Sequence, residues 1–359
     1  MRLPVSLWPL VQRLASGERW PPEDRAAADR FVWQAEREGL LPLLFDAQDL
    51  PVGLRDSLQG HRALERLYRR RSELLEDAFT VLAGLLEPEP AILLKGVDYR
   101  RRLYARPEHR PMQDIDVLVP IERCGLVVER LRRGGLQQHF PGGPATRLES
   151  YHERVLQLGE VTVEVHHSFV QRVRHRIDYG ALWTRRVALE GAPDGLARLE
   201  DADAIAYHAL SLAIDEFRVP LIRYVDLWLL LEAAPGALPE AAARARRWRA
   251  KRPLYGALRQ LFLLLPESRN EARSVVAQSL LAAPTRAFLD VCVLPGEDGY
   301  GKGKNMSRAV ELWCKCWLLD NAWRRARLCA YHAWASLAGR RRHTDVASEP
   351  ANTDKIRAR

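Results

Sequence analysis

The sequence predicts an α+β fold: a small mixed β-sheet core in mid-chain, flanked by N-terminal and C-terminal helical regions. Three observations predict it. Stretches before about residue 88 and after about residue 186 place apolar residues at helical spacing. The stretch between them holds short runs that alternate with the period of a strand. Proline and glycine mark the changes of character, as at Pro88 and Pro90. The expected units are a helical region 1–88, a sheet-bearing core 89–185, a helical domain 186–342 and a polar tail 343–359, disordered from about His343.

In the first unit, Ala26 to Glu38 reads as an amphipathic helix with Gly39 as its C-cap glycine. Leu58 to Leu86 reads as one long amphipathic helix, with Leu64, Leu67, Tyr68, Leu75, Phe79 and Leu82 on its apolar side. In the core, Ala91 to Leu94 is a buried strand entering a Lys95-Gly96 turn, and Tyr99 to Tyr104 a short helix. Asp114 to Val119 is a strand ended by Pro120, and Ile121 to Arg133 a helix closed by Gly134-Gly135. Gln137 to Glu149, centred on Pro141-Gly142-Gly143-Pro144, is loop. Arg154–Leu158 and Val161–His166, two residues apart at Gly159-Glu160, form a hairpin. Beyond Asp201, which with Asp203 is a candidate helix cap, helices are expected through Glu216, from Arg223, through Lys251, and over 258–265, 273–281 and 307–337.

Bulk properties narrow the function. The 359 residues are 47% hydrophobic and 28% charged, the balance of a soluble globular chain. No run of about 18 uncharged apolar residues suggests a transmembrane helix. The first residues, with Pro4 after Arg2 and Leu3, do not read as a secretory signal. Five cysteines, an odd and sparse set, argue against a disulfide framework and suggest a reducing cytoplasm. Cys314-Lys315-Cys316 lacks a second pair at zinc-finger spacing and reads as a tolerated helical pair. The net charge of +9 favours polyanions: nucleoside triphosphates, RNA or acidic lipid. Arginine runs at 69–71, 100–102 and 340–342 are its densest parts. Trp313, Trp317, Trp323 and Trp334, beside Arg324, Arg325 and Arg327, read as a core-packing helix, with peripheral membrane or partner contact as the alternative. The Gly/Lys-rich run 299–304 lacks the spacing of a phosphate loop and reads as a link.

The chemistry centres on Asp114-Ile115-Asp116. Residues i and i+2 of a strand share a face, so both carboxylates converge while Ile115 and Val117 enter the core. In Val161 to His166 the valines share one face, and Thr162, Glu164 and His166 the other. If that strand lies beside the aspartates, Glu164 joins them. Three carboxylates suit magnesium, or manganese, and can support in-line phosphoryl chemistry. Lys95 supplies charge and Gly96 a close backbone approach for phosphate, at the end of a strand and before a helix. Arg110 either neutralises phosphate or pairs with a nearby acid. His166 orients Glu164 or touches phosphate, while His167 faces the other way. His208 and Asp226 fall on adjacent helices, where a helix–helix hydrogen bond is one reading and nucleotide or acceptor contact the other. Serine or cysteine nucleophile motifs and a Walker-type loop are absent.

Leu93-Leu94-Lys95-Gly96, Leu103-Tyr104, Arg110-Pro111-Met112-Gln113-Asp114-Ile115-Asp116-Val117-Leu118-Val119 and Val163-Glu164-Val165-His166 together resemble the uncharacterised nucleotidyltransferase family of the polymerase-β-type superfamily. The resemblance extends over residues 30 to 235, with Leu40 to Leu44, His208 and Asp226 in its flanks. It implies a small mixed sheet whose acids bind metal and a nucleoside triphosphate such as ATP, with phosphates at the glycine turn. Two positions depart from the superfamily: Val97 follows Gly96 where serine or glycine is usual, and Glu164 stands where aspartate is common. Transfer of a nucleoside monophosphate to a hydroxyl acceptor (small molecule, peptide or protein, or RNA) follows as the expected activity. A kinase-like phosphotransferase on the same metal site and a non-catalytic RNA- or partner-binding protein are the alternatives.

Overall fold

A computed structural model describes residues 25–47, 52–138, 152–170, 174–189, 191–295, 308–326 and 329. The expected loop at 141–144, the Gly/Lys-rich run 299–304, Trp334, Arg327, the 340–342 arginines and the tail from His343 lie outside them.

A seven-stranded sheet forms the centre, with strand order β3-β4-β5-β2-β1-β7-β6. Its strands are β1 (Ala91–Leu93), β2 (Asp114–Leu118), β3 (Gln137–Gln138), β4 (Glu153–Leu158), β5 (Val161–His166), β6 (Val187–Ala188) and β7 (Leu196–Arg198). It is mixed, as expected: β2 runs parallel to β5 and antiparallel to β1, and β1 runs parallel to β7. β4 and β5 form the hairpin, with Leu158 opposite Val161 across Gly159-Glu160. Gly159 takes a positive φ of 57°, which this two-residue connection needs. Strands β6 and β7 lie past residue 185, so the sheet reaches beyond the limit expected of the core. At two and three residues they are too short to show a period in the sequence.

The helices before the sheet are α1 (Arg25–Arg37), α2 (Leu41–Phe45), α3 (Val52–Gly60) and α4 (Arg62–Leu86). The single helix expected over 58–86 is broken at His61, whose φ of −105° and ψ of 17° leave the helical region. The ring turns back to the Ser57 carbonyl, Nδ1 to O 2.9 Å. Between the strands lie α5 (Lys95–Arg102) and α6 (Ile121–Arg133), and before β6 lies α7 (Tyr179–Arg185). Helix α5 begins four residues earlier than the sequence suggests, directly from β1.

After the sheet come α8 (Asp201–Ile214), α9 (Ile222–Ala233), α10 (Leu238–Trp248), α11 (Lys251–Leu264), α12 (Glu271–Ser279), α13 (Ala283–Cys292) and α14 (Arg308–Trp317). Neither Asp201 nor Asp203 caps α8. Glu200 does, its side chain accepting from the Asp203 amide, while buried Asp203 pairs with Arg185 and Arg244. Helix α13 falls between the helices expected at 273–281 and 307–337. Proline is tolerated in its first helical turn, where the missing N–H is not needed. Helix α14 ends at Trp317 and residues 322–326 are helical again, so the helix expected over 307–337 is broken at 318–321; its part from 330 lies outside the described residues. Trp317 packs on Phe288 with ring centroids 4.6 Å apart and lies under Arg325, so this tryptophan serves the core. Trp313 and Trp323 are exposed. Among the described residues no single helix is long and apolar enough to cross a membrane.

Among the described residues two large apolar cores result. One joins α1, α2 and α3 to the C-terminal helices through Phe31, Leu41, Tyr207, Ile222 and Trp248. The other lies between α4, α6 and one face of the sheet, where Ile115, Val117, Val163 and Val165 meet Phe79, Leu82 and Val127. The alternating strands put their valines and isoleucine into this second core and turn their acids the other way.

One glycine fixes the edge of the sheet. Gly195, at φ 94°, enters β7 beside β1, and a Cβ there would stand 2.8 Å from the Glu89 carbonyl oxygen. Gly195→Ala is expected to lose about 1–3 kcal/mol of stability through this overlap and the positive φ. Urea unfolding of the two proteins checks it, and an unchanged midpoint would refute it.

Candidate active site

β2 and β5 place the acids. Asp116 is the direct partner of Glu164 across the parallel ladder, Asp114 partners Thr162, and Leu118 partners His166. Parallel partners project to the same face, so Asp116 and Glu164 stand side by side opposite the valine core. Glu164 is close to the aspartate strand and turned toward it, as the argument from the sequence required.

His166 links the two acids. Its Nε2 lies 2.8 Å from Asp116 Oδ1 and 3.4 Å from Glu164 Oε2. The ring is 3% exposed. Of the two roles open to it in the sequence, its contacts supply that of orienting Glu164. Lys95 Nζ stands 3.7 Å from the other Asp116 oxygen. Asp116, Glu164 and His166 offer ligand atoms within 4.8 Å of one another, and Asp114 is not in that set. Asp114 instead lines the adjoining cavity beside Asp116.

The electrostatics follow from this crowding. Burial opposes the charge on Asp116, but the Lys95 ammonium and the hydrogen bonds from His166 and Glu164 hold its carboxyl well below the usual carboxylate range. Burial and the Asp116 charge raise Asp114. At Glu164 the hydrogen bond with His166 lowers the pKa, and burial with the charges of Asp116 and Glu153 outweighs it, so the net shift is upward. Burial also opposes a charged His166, yet its bonds to Asp116 and Glu164 push it up to about 9. Carboxylates pressed together in this way fit a divalent cation: hard oxygen donors, mutually repelling, beside an open cavity.

Lys95 and Gly96 open helix α5. The positive φ at this bend, 37°, belongs to Lys95, not to Gly96. At Gly96 the space is tight: a Cβ there would meet the end of the Met112 side chain at 3.2 Å. Leu94 at the N-cap cannot cap the helix with its side chain, so the first amides of α5 remain available to an anion. The strand, bend and helix therefore stand as expected, with the positive φ carried by the lysine.

Asp114, Asp116, Lys95 and Gly96 border a cavity of about 710 Å³. Such a volume falls within the range of about 300–1,000 Å³ usual for small-molecule sites. Leu64, Leu67 and Tyr68 of α4 give its lining an apolar part, and Arg71, Arg100 and Arg223 add positive charge. Glu164 and His166 lie outside the lining.

Arg110 also borders the cavity, but its guanidinium is committed: Nε lies 2.9 Å from both Asp226 oxygens and a terminal nitrogen 2.8 Å from Oδ2. Tyr104 donates to the same carboxylate at 2.7 Å. Of the two roles open to Arg110, the structure supplies the acid that pairing requires. A helix–helix hydrogen bond does form from His208, but its partner is the Arg223 carbonyl of α9, Nε2 to O 2.7 Å, not Asp226. Both His208 and Asp226 are fully buried.

Sequence reasoning overlooked Glu153 and His152. Glu153 is the ladder partner of His166, and its Oε2 stands 3.3 Å from His166 Nδ1. The two-residue turn could have found it, because counting back from Gly159-Glu160 pairs 153 with 166. The cavity arginines Arg71 and Arg100 had no such signal, since helix faces far apart in sequence bring them together.

No match is found among curated proteins. The family described as "Uncharacterised nucleotidyltransferase" matches residues 24–266, which takes in α1, the whole sheet and the helices through α11. With that match over more than half its length, the chain belongs to this nucleotidyltransferase family.

Proposed function

We propose that the chain moves a nucleoside monophosphate from a nucleoside triphosphate to a hydroxyl acceptor, with release of pyrophosphate. The observation that carries this reading is the pairing of Asp116 with Glu164 next to Lys95, where Asp116 and Lys95 line a cavity of nucleotide size. Asp116 and Glu164, with Asp114 from the cavity side, would hold magnesium or manganese, which when bound neutralises phosphate charge.

The residues of the chain divide the remaining work. Lys95 and the first amides of α5 receive the phosphates, and Arg71 and Arg100 add long-range attraction. The wall of Leu64, Leu67 and Tyr68 offers an apolar surface for the base. His166 fixes the orientation of both Asp116 and Glu164. Glu164, whose proton affinity its surroundings raise, accepts the proton of the acceptor hydroxyl. The hydroxyl oxygen bonds to the α-phosphorus, the bond from that phosphorus to the bridging oxygen breaks, and the pair leaves on pyrophosphate. Positioning and electrostatics supply most of the rate in such reactions.

Incubating the purified chain with magnesium, each labelled triphosphate and a cell extract tests this. Label retained as nucleoside monophosphate on a small molecule, protein or RNA, with pyrophosphate formed, is the expected result. Nucleoside diphosphate as product would instead assign a kinase-like reaction. Triphosphate binding with no turnover on any acceptor would assign a binding protein.

A further inference from the structure

We propose a second metal site, for a transition cation of the zinc class, formed by His152, Glu153 and His166 on the side of His166 away from Asp116. The three residues each offer a ligand atom, all within 4.8 Å of one another. Glu153 Oε2 lies 3.2 Å from His152 Nε2 and 3.3 Å from His166 Nδ1. Ligands held about 2.0–2.1 Å from a tetrahedral ion stand about 3.3–3.4 Å apart, so two edges of the required triangle already have that length.

The buried ring of His166 supplies the independent observation. Its Nδ1 is enclosed and makes no hydrogen bond, although a carboxylate oxygen stands in front of it. On the other side Nε2 is 2.8 Å from Asp116. A histidine that donates one N–H to a carboxylate turns its other nitrogen outward as a lone pair, the arrangement by which metal-bound histidines are commonly oriented. Here Nδ1 faces the Glu153 carboxylate at 3.3 Å, and a metal ion that takes the place of the Nδ1 proton sits between the two.

The backbone fixes all three positions. Glu153 is the ladder partner of His166, and the His152 carbonyl accepts from the His167 amide at 2.9 Å. Two imidazoles and one carboxylate select zinc-like ions over magnesium, which prefers oxygen. The ion ties the start of β4 to the end of β5 and holds the His166 ring against Asp116, with water in its fourth position. The site shares His166 with the nucleotide reading, while His152 and Glu153 take no part in that reading.

The test equilibrates the chelator-stripped full chain with zinc in the presence of excess magnesium and measures metal content. The same measurement is made on His152→Ala, the isosteric Glu153→Gln, and Asp114→Asn. One zinc per chain is expected in the unsubstituted protein and in Asp114→Asn, and its loss in the other two. Cobalt in place of zinc should give the intense visible bands of four-coordinate geometry, and His152→Ala should abolish them. Failure of the unsubstituted chain to retain zinc against magnesium would overturn the proposal. Retention by both His152→Ala and Glu153→Gln, or weak octahedral cobalt bands, would do the same. A melting transition like that of the unsubstituted chain in Glu153→Gln separates loss of the ligand from loss of the fold.

Discussion

Asp116→Asn is expected to lower the rate of nucleotide transfer by at least about 10²–10³-fold, the scale on which a single preorganised electrostatic group acts. Among the acids here, Asp116 meets the most partners: Lys95 on one oxygen, His166 on the other, and Glu164 beside it. These partners keep it ionised despite burial, which is what a phosphate-site metal needs of a ligand. Asparagine keeps the shape and can still accept from His166 Nε2, so the fold survives. It removes the charge, and with it the counter-ion of Lys95 and a hard donor for magnesium. Initial rates of pyrophosphate release, alongside thermal unfolding of both proteins, check the expectation. Asp114→Asn should also lose activity, since Asp114 borders the cavity next to Asp116. A folded Asp116→Asn protein with unreduced turnover would remove the catalytic reading.

The acid pair was legible because it rests on local geometry. Alternation in Asp114-Ile115-Asp116-Val117 and in Val161 to His166 fixes which side chains share a face, and the turn at 159–160 fixes the hairpin. That β5 lies beside β2 was an assumption at that level, and the parallel register Asp116 to Glu164 makes it a fact. What stayed hidden depends on chain segments that meet only in three dimensions. The wall of Leu64 and Tyr68 comes from α4, and Arg223 from α9, and no spacing in the sequence ties them to the acids. Local competition hid other features. His61 breaks a well-formed amphipathic pattern, and Pro284 begins a helix where proline more often ends one. At the Lys95-Gly96 bend, residue type pointed to the glycine as the special backbone, yet the lysine carries the positive φ. The surrounding β1-to-α5 connection, not the intrinsic preference of the residue, decides that conformation.

Asp226→Ala is expected to destabilise the protein by about 3–5 kcal/mol, the cost of leaving a buried charge without its partner. Asp226 is fully buried, and Arg110 and Tyr104 both converge on it from the segment that leads into β2. Burial works against the Arg110 charge, and the Asp226 charge and hydrogen bonds outweigh it; a guanidinium stays protonated in proteins, so removing Asp226 leaves a buried cation without its counter-charge. Replacing both ends of a buried ion pair by apolar residues of similar size is often neutral or stabilising. Arg110→Met with Asp226→Leu should therefore recover most of the loss seen in Asp226→Ala. That folded double variant then separates the two roles the sequence left open for Arg110. If Arg110 serves to lock α9 onto the approach to β2, triphosphate affinity is retained once stability is restored. Urea unfolding of the two single variants and the double variant, followed by triphosphate titration of the double, reads both quantities. A stable double variant with triphosphate affinity reduced tenfold or more would return Arg110 to the phosphates and contradict the structural assignment.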